Sequence, residues 1–300
     1  MKKIPIDILF IIHLFNIILL IMTSTSTSNL MNGSDFKLTY PNTKFYKLTN
    51  ESECHHNFQF KDGLNVDILM FDPEGECEPG GLYFTELNKI SCWISYINIM
   101  YIREVEICDD SIVKIEKNKF KTDKFILKNR QLLMDLKYWN DYDFCELSVK
   151  QNGNVLEFVK DQTPELCELA VKQNGNALEF VKDQTPELCE LAVKQNGNAL
   201  EFVKNQTHDL CLLAVKQYGY AFLYVREQTP ELCEFAVKQN GNVLEFVKDQ
   251  TPELCELAVK QNGFALQFVR EQTPELCKLA VKQYGYVLKY VKEHKLQNYV

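Results

Sequence analysis

Residues 163–184 read TPELCELAVKQNGNALEFVKDQ, and residues 185–206 read TPELCELAVKQNGNALEFVKNQ, one residue different. The cysteines that mark this phrase fall at 145, 167, 189, 211, 233, 255 and 277, every interval being 22. Seven copies therefore occupy 140–292. The period is too long for a heptad seam and too short for the roughly 34-residue helical pair of the tetratricopeptide kind.

Each copy carries its own punctuation. The Thr163 hydroxyl can accept an orphan backbone N–H at a helix start, Pro164 suits the first helical position, and Glu165 favours the positive end of the dipole. Gly175 is expected to end that helix in the left-handed conformation, and Asn176 to cap a second. The reading is helix A over 164–174 and helix B over 177–184. At helical spacing, A gathers Leu166, Cys167, Leu169, Ala170 and Val171 on one face, with Glu165, Glu168 and Lys172 outside. B gathers Ala177, Leu178, Phe180 and Val181, with Glu179, Lys182 and Asp183 outside. Helices this short cannot bury such faces alone, so the copies must stack, as an all-α solenoid of seven 22-residue helix-turn-helix repeats. Equivalent positions on packed helices stand about 8–10 Å apart, beyond the roughly 7 Å Cα limit of a disulfide. Seven buried, reduced thiols are expected, which suits a reducing compartment.

Residues 37–128 lack the period and read as an α+β module. FYKLT (45–49), NFQF (57–60), NVDILMF (65–71), GLYFTEL (81–87) and YIREVEI (101–107) are strand-like in composition. Ile90, Trp93, Ile94 and Ile97 follow helical spacing over 87–97. The stretch 129–139 is expected to be a helix capping the first apolar face of the solenoid. The first 28 residues combine Lys2-Lys3, an apolar run from Leu9 to Met22 and TSTSTSN, the pattern of a signal peptide or an uncleaved signal anchor, any membrane contact being confined to 4–22. That places the chain in the secretory pathway or on a membrane. A start at Met31 places it in the cytoplasm, which the thiols favour. The N-x-S/T sequons at Asn32, Asn50 and Asn205 are glycosylation sites only in a secretory lumen.

A net charge of −8 and the absence of a basic run past Lys3 exclude a nucleic-acid footprint. There is no P-loop, G-x-S-x-G, H-E-x-x-H or G-x-G-x-x-G, so neither an enzyme nor a cofactor is assigned. Cys54-His55-His56 with Cys77, Cys92 and Cys108 are zinc-type donors, but without a C-x-x-C pair no metal site is assigned. In a secreted chain these four cysteines have three possible pairings.

Departures from the consensus point to a partner. Copy four reads THDLCLLAVKQYGYAFLYVREQ: Leu212 and Leu223 replace outer glutamates, and Tyr218 and Tyr220 replace the two loop asparagines. Phe264, Tyr284 and Tyr286 occupy the same loop positions in copies six and seven. One loop of every repeat maps to one edge, so these side chains form a candidate partner-binding ridge, or else pack together and stiffen the array. The consensus copy has four carboxylates (Glu165, Glu168, Glu179, Asp183) to two ammonium groups (Lys172, Lys182), a bias toward basic protein partners.

PNTKFYKLTN (41–50), FKDGLNVD (60–67), GECEPGGLYFTEL (75–87), IREVEI (102–107) and KFKTDKFIL (119–127) resemble the N-terminal module of repeat proteins in giant, mimivirus-like DNA viruses of amoebae. A-V-K-Q-N-G-x-A-L-x-x-V resembles a helical repeat of unknown function in the same viruses. The resemblance implies a viral, non-catalytic interaction scaffold whose solenoid binds a host protein. The alternative is an exported or membrane-tethered structural glycoprotein. The leader departs from those relatives.

Overall fold

The computed structural model describes residues 29–74, 78–94 and 98–292. The leader, Cys77 and the tail from Glu293 lie outside the described residues. The chain divides into two compact units, Met1–Phe144 and Cys145–Val300.

The first unit is sheet-rich. Its strands are β1 (Leu30–Asn32), β2 (Phe45–Asn50), β3 (Cys54–His55), β4 (Phe58–Gln59), β5 (Gly63–Val66), β6 (Leu82–Glu86), β7 (Ile99–Glu106), β8 (Ile112–Ile115), β9 (Phe120–Thr122) and β10 (Lys124–Leu132). Eight form one antiparallel sheet in the order β1-β8-β9-β6-β2-β7-β10-β5, and β3 and β4 pair separately. One short helix, α1 (Gly33–Thr39), is capped by Asn32, whose side chain accepts from the Asp35 N–H at 2.8 Å. It delivers Phe36, fully buried, into a cluster with Phe45, Phe84 and Phe120. Phe36 stands 5.0 Å from Phe45 and Phe84 5.1 Å from Phe120, centroid to centroid. The module thus begins before residue 37, because its aromatic core is incomplete without Phe36.

Three expectations are corrected. The run 65–71 leaves the ladder after Val66: Ile68 and Met70, 89% and 91% exposed, have no apolar surface to cover them. Of the stretch 87–97, Ile97 lies outside the described residues, and the described part forms a 3₁₀ helix, Leu87–Cys92, rather than an α-helix. The segment 129–139 is no capping helix. Strand β10 runs to Leu132, followed by 3₁₀ turns at Leu133–Asp135 and Lys137–Asn140. Phe125 and Leu127 are buried while Lys124, Ile126 and Lys128 are not, a period of two, and β10 pairs with both β5 and β7. The buried Trp139 fixes the turns, its Nε1 donating to the Leu133 carbonyl at 2.8 Å.

The second unit is the repeat array. Its α-helices are α2 (Tyr142–Gln151), α3 (Pro164–Gln173), α4 (Pro186–Gln195), α5 (His208–Gln217), α6 (Pro230–Gln239), α7 (Pro252–Gln261) and α8 (Pro274–Gln283), each followed by a six-residue 3₁₀ helix such as Gly175–Phe180. From α3 to α8 each helix packs on the helix of the next copy. The threonine cap is realised: Thr163 Oγ1 accepts from the Leu166 N–H at 3.3 Å. The second segment, however, is 3₁₀ rather than α and begins at the glycine. The glycine is not left-handed either. Helix α3 ends on extended Asn174 (φ −150°, ψ 113°), whose Oδ1 accepts from the Asn176 N–H at 3.1 Å. One asparagine thus closes one helix and opens the next, leaving room for only a single tight turn before extended Val181. Gly175 is needed for a different reason. A Cβ there would stand 2.7 Å from the Ala192 carbonyl oxygen of the next copy.

Candidate functional site

Adjacent copies are joined by three polar ladders, and the places where these ladders fail mark the candidate surface. In the first, Gln162 Nε2 donates to Leu156 O (3.0 Å) and to Phe180 O of the next copy (2.9 Å). Its Oε1 accepts from the Lys182 N–H at 3.0 Å. Gln184 repeats the arrangement, and Gln272 bridges Leu266 O and Tyr290 O in the same way. The repeated cysteine belongs to this ladder: Cys167 Sγ lies 3.9 Å from Gln162 Oε1 and Cys189 Sγ 3.7 Å from Gln184 Oε1. The thiols of Cys167, Cys189, Cys211, Cys255 and Cys277 are small buried apolar groups, each with a weak donor aimed at a bridging amide. Burial pushes the thiols of Cys167, Cys189, Cys211, Cys233 and Cys255 up from their ordinary pKa. All seven repeat cysteines are buried, and none is joined in a disulfide.

The second ladder runs back along the loop edge. Asn174 Nδ2 donates to Asn154 Oδ1 at 2.7 Å, Asn196 to Asn176 at 2.8 Å and Asn262 to Asn242 at 3.0 Å. Beside it, Gln195 Oε1 accepts from the Gly175 N–H and Gln261 Oε1 from the Gly241 N–H. In the third, each basic residue caps the carbonyl of its counterpart one copy earlier: Lys182 Nζ to Lys160 O at 2.7 Å, Arg226 to Lys204 O at 2.7 Å.

Copy four interrupts this pattern. Tyr218 and Tyr220 stand where the asparagine ladder needs amides, so its rungs to copies three and five are missing. Among the described residues, Gly197 and Gly219 receive no glutamine bond. The outer helical face changes too. Glu168–Lys172, Glu190–Lys194, Glu234–Lys238 and Glu256–Lys260 each pair at 2.5 Å, whereas Leu212 removes that carboxylate. Tyr218 and Leu223 are 48% and 51% exposed, while Leu212 and Tyr220 are half-buried. The Tyr218 and Tyr220 rings meet at 5.7 Å, and Tyr220 reaches Phe246 at 6.2 Å. Tyr224, which the sequence reading did not single out, joins them. Burial, then the Glu201 carboxylate and the neighbouring Tyr218, hold its hydroxyl above the usual tyrosine pKa. The signal was present, since five of the other six copies carry phenylalanine there. At the copy six–seven junction the lost rung is replaced by Phe264 stacked on Tyr284 at 5.1 Å, while Tyr286 is 87% exposed.

The three sequons differ in context. Asn32 is exposed but caps α1, its Nδ2 donating to Asp35 Oδ2 at 2.8 Å. The Asn50 side chain holds a turn, bonding both N and O of Cys54. Asn205 is exposed beside an open cleft of about 820 Å³ between copies three and four. Cys54, Cys92 and Cys108 are partly buried, and none is joined in a disulfide. The His55 and His56 rings lie 4.1 Å apart, and among the described residues no three His, Cys, Asp or Glu side chains converge as metal ligands. Among them, too, no helix is long and apolar enough to cross a membrane.

The array matches the family described as "Domain of unknown function (DUF4116)" over residues 141–185, 163–206, 185–229, 229–272 and 251–297. An uncharacterised protein of Acanthamoeba polyphaga mimivirus is 36% identical over 116 residues, covering 37% of this chain and 83% of that protein. A second protein of that virus, provisionally named an ankyrin repeat protein, is 34% identical over 131 residues, covering 39% of this chain and 64% of its own length. Ankyrin repeats have a period of about 33 residues, unlike the 22 found here. No solved structure matches the chain.

Proposed function

The chain belongs to the DUF4116 family, and on that premise we propose that it is a non-catalytic interaction scaffold whose repeat array binds a protein through the loop edge of copy four, extended by copies six and seven. One observation carries the reading. At Tyr218, Tyr220 and Leu223 the chain gives up bonds and charges kept in the consensus copies, and leaves apolar surface in water. Exposed apolar patches on a polar scaffold mark association sites, and rigid aromatics dominate binding energy at such sites. The consensus copy has four carboxylates (Glu165, Glu168, Glu179, Asp183) to two ammonium groups (Lys172, Lys182), an acidic bias that suits a partner with an apolar centre and a basic rim. The names of several giant-virus relatives point to repeat-mediated association, and a host protein fits that setting.

Reversion to consensus tests the reading. The triple variant Tyr218→Asn, Tyr220→Asn, Leu223→Glu restores the ladder. Affinity capture from amoebal lysate, quantified beside the wild-type chain, is expected to lose a specific partner while the melting temperature holds or rises. Unchanged capture with a lowered melting temperature makes the aromatics internal stiffeners and removes the proposal.

A further inference from the structure

A hollow of about 280 Å³ opens into the N-terminal module between β2, β6 and the β3–β4 hairpin. Its walls are mostly rings and aliphatic carbons, with Phe60, Tyr83 and Trp93 prominent. Its size falls just below the usual range of ligand pockets, about 300–1,000 Å³.

The hollow also contains a buried charge. Alternation along β2 puts Lys47 on the same face as the core residue Phe45, and Lys47 is only 7% exposed. Its ammonium lies 4.7 Å from the Phe60 ring centroid. Among the described residues it has no hydrogen-bond or ion-pair partner. The neighbouring buried cations differ in this respect. Arg103, opposite Lys47 in the β2–β7 ladder, pairs with Glu53 and Asp62. Lys119 pairs with Glu116 at 3.3 Å, and Lys121 Nζ donates to Asp72 O at 2.7 Å. None of the residues lining the hollow is acidic. The carboxylates nearby are engaged: Glu53 by Arg103, Glu116 by Lys119, and Asp67 by the Gly81 N–H at 2.6 Å.

A buried cation without a counter-ion is costly unless something supplies the opposite charge. Burial, and secondarily the charge of Lys119, lower the Lys47 pKa to about 8, so it remains mostly protonated at neutral pH. Burial and the same Lys47 hold His55 down at about 4, leaving it neutral there. The hollow therefore offers one strong unmet electrostatic demand inside an aromatic wall. We propose that it binds a small aromatic carboxylate, with the carboxylate on the Lys47 ammonium and the ring against Tyr83 and Trp93. This reading is independent of the repeat array.

The probe is 2-naphthoate, titrated into the full chain by calorimetry and by quenching of Trp93 fluorescence, with 2-naphthalenemethanol as the neutral analogue of the same shape. The acid is expected to bind at least about tenfold more tightly than the alcohol, a difference of about 1.4 kcal/mol. Lys47→Met, which removes the charge but keeps the stem, is expected to bring the acid down to the affinity of the alcohol, and Trp93→Phe to abolish the quench. Equal affinity of acid and alcohol for the wild type overturns the proposal without recourse to any variant. So does undiminished binding of the acid by Lys47→Met, or the absence of binding at about 1 mM, the weak end of specific affinities.

Discussion

The inference that glycine serves close packing between copies can be tested within one array. In Gly175→Ala the new methyl group would lie 2.7 Å from the Ala192 carbonyl oxygen, a backbone atom that cannot rotate away. Gly241 faces the same problem, 2.5 Å from Ala258 O, whereas at Gly285, in the last copy, nothing described lies within 4 Å. Forcing extra volume into a packed interface costs about 1–3 kcal/mol. Alanine returns about 0.4–1 kcal/mol by restricting the unfolded chain, because none of these glycines has positive φ. Gly175→Ala and Gly241→Ala should therefore each lose about 1–2 kcal/mol. For an array of this size that is about 2–8 °C in melting temperature. Gly285→Ala should instead gain a degree or more. Thermal unfolding followed by circular dichroism, with urea titration alongside, measures all three. Equal destabilisation at Gly175 and Gly285 would refute the packing argument and restore a purely conformational role for the glycine.

Gln184→Leu removes the bridge that satisfies Phe202 O and the Lys204 N–H, and should cost about 2–4 kcal/mol, read by urea unfolding. The Lys47 pKa is about 8 folded against 10.5 unfolded, so folding disfavours its protonation. Its destabilising effect is full below pH 8 and fades as pH rises to 10.5. The stability of the wild type relative to Lys47→Met should therefore climb by up to about 3 kcal/mol across that window, and a flat difference in pH-dependent unfolding would contradict the buried charge. The repeat thiols, all buried and five of them raised in pKa, should resist iodoacetamide at pH 8 in the native chain and react fully in urea, as mass spectrometry of intact protein would show.

The linear chain was informative wherever a local rule repeated. The 22-residue interval, the Thr-Pro helix start and the apolar face of Leu166, Ala170 and Val171 foretold the stacked array, because the helix start and the apolar face depend on neighbours within one or two turns and recur from copy to copy, the Thr-Pro start in five of the seven. The aromatics of copy four stood out for the same reason: a repeat supplies its own reference. Contacts between copies were hidden. The extended Asn174, the glycine set against the next copy's carbonyl and the cysteine aimed at a bridging glutamine follow from how closely two copies approach, a distance the string of residues does not contain. In the N-terminal module composition revealed strands but not their partners. The end of strand β10, residues 129–132, reads from sequence as part of a helix, and Lys47 reads as an ordinary lysine in FYKLT. Its significance comes from being surrounded, on a sheet assembled from strands distant in sequence, by rings instead of water. Only that enclosure turns an unremarkable basic residue into an unmet charge.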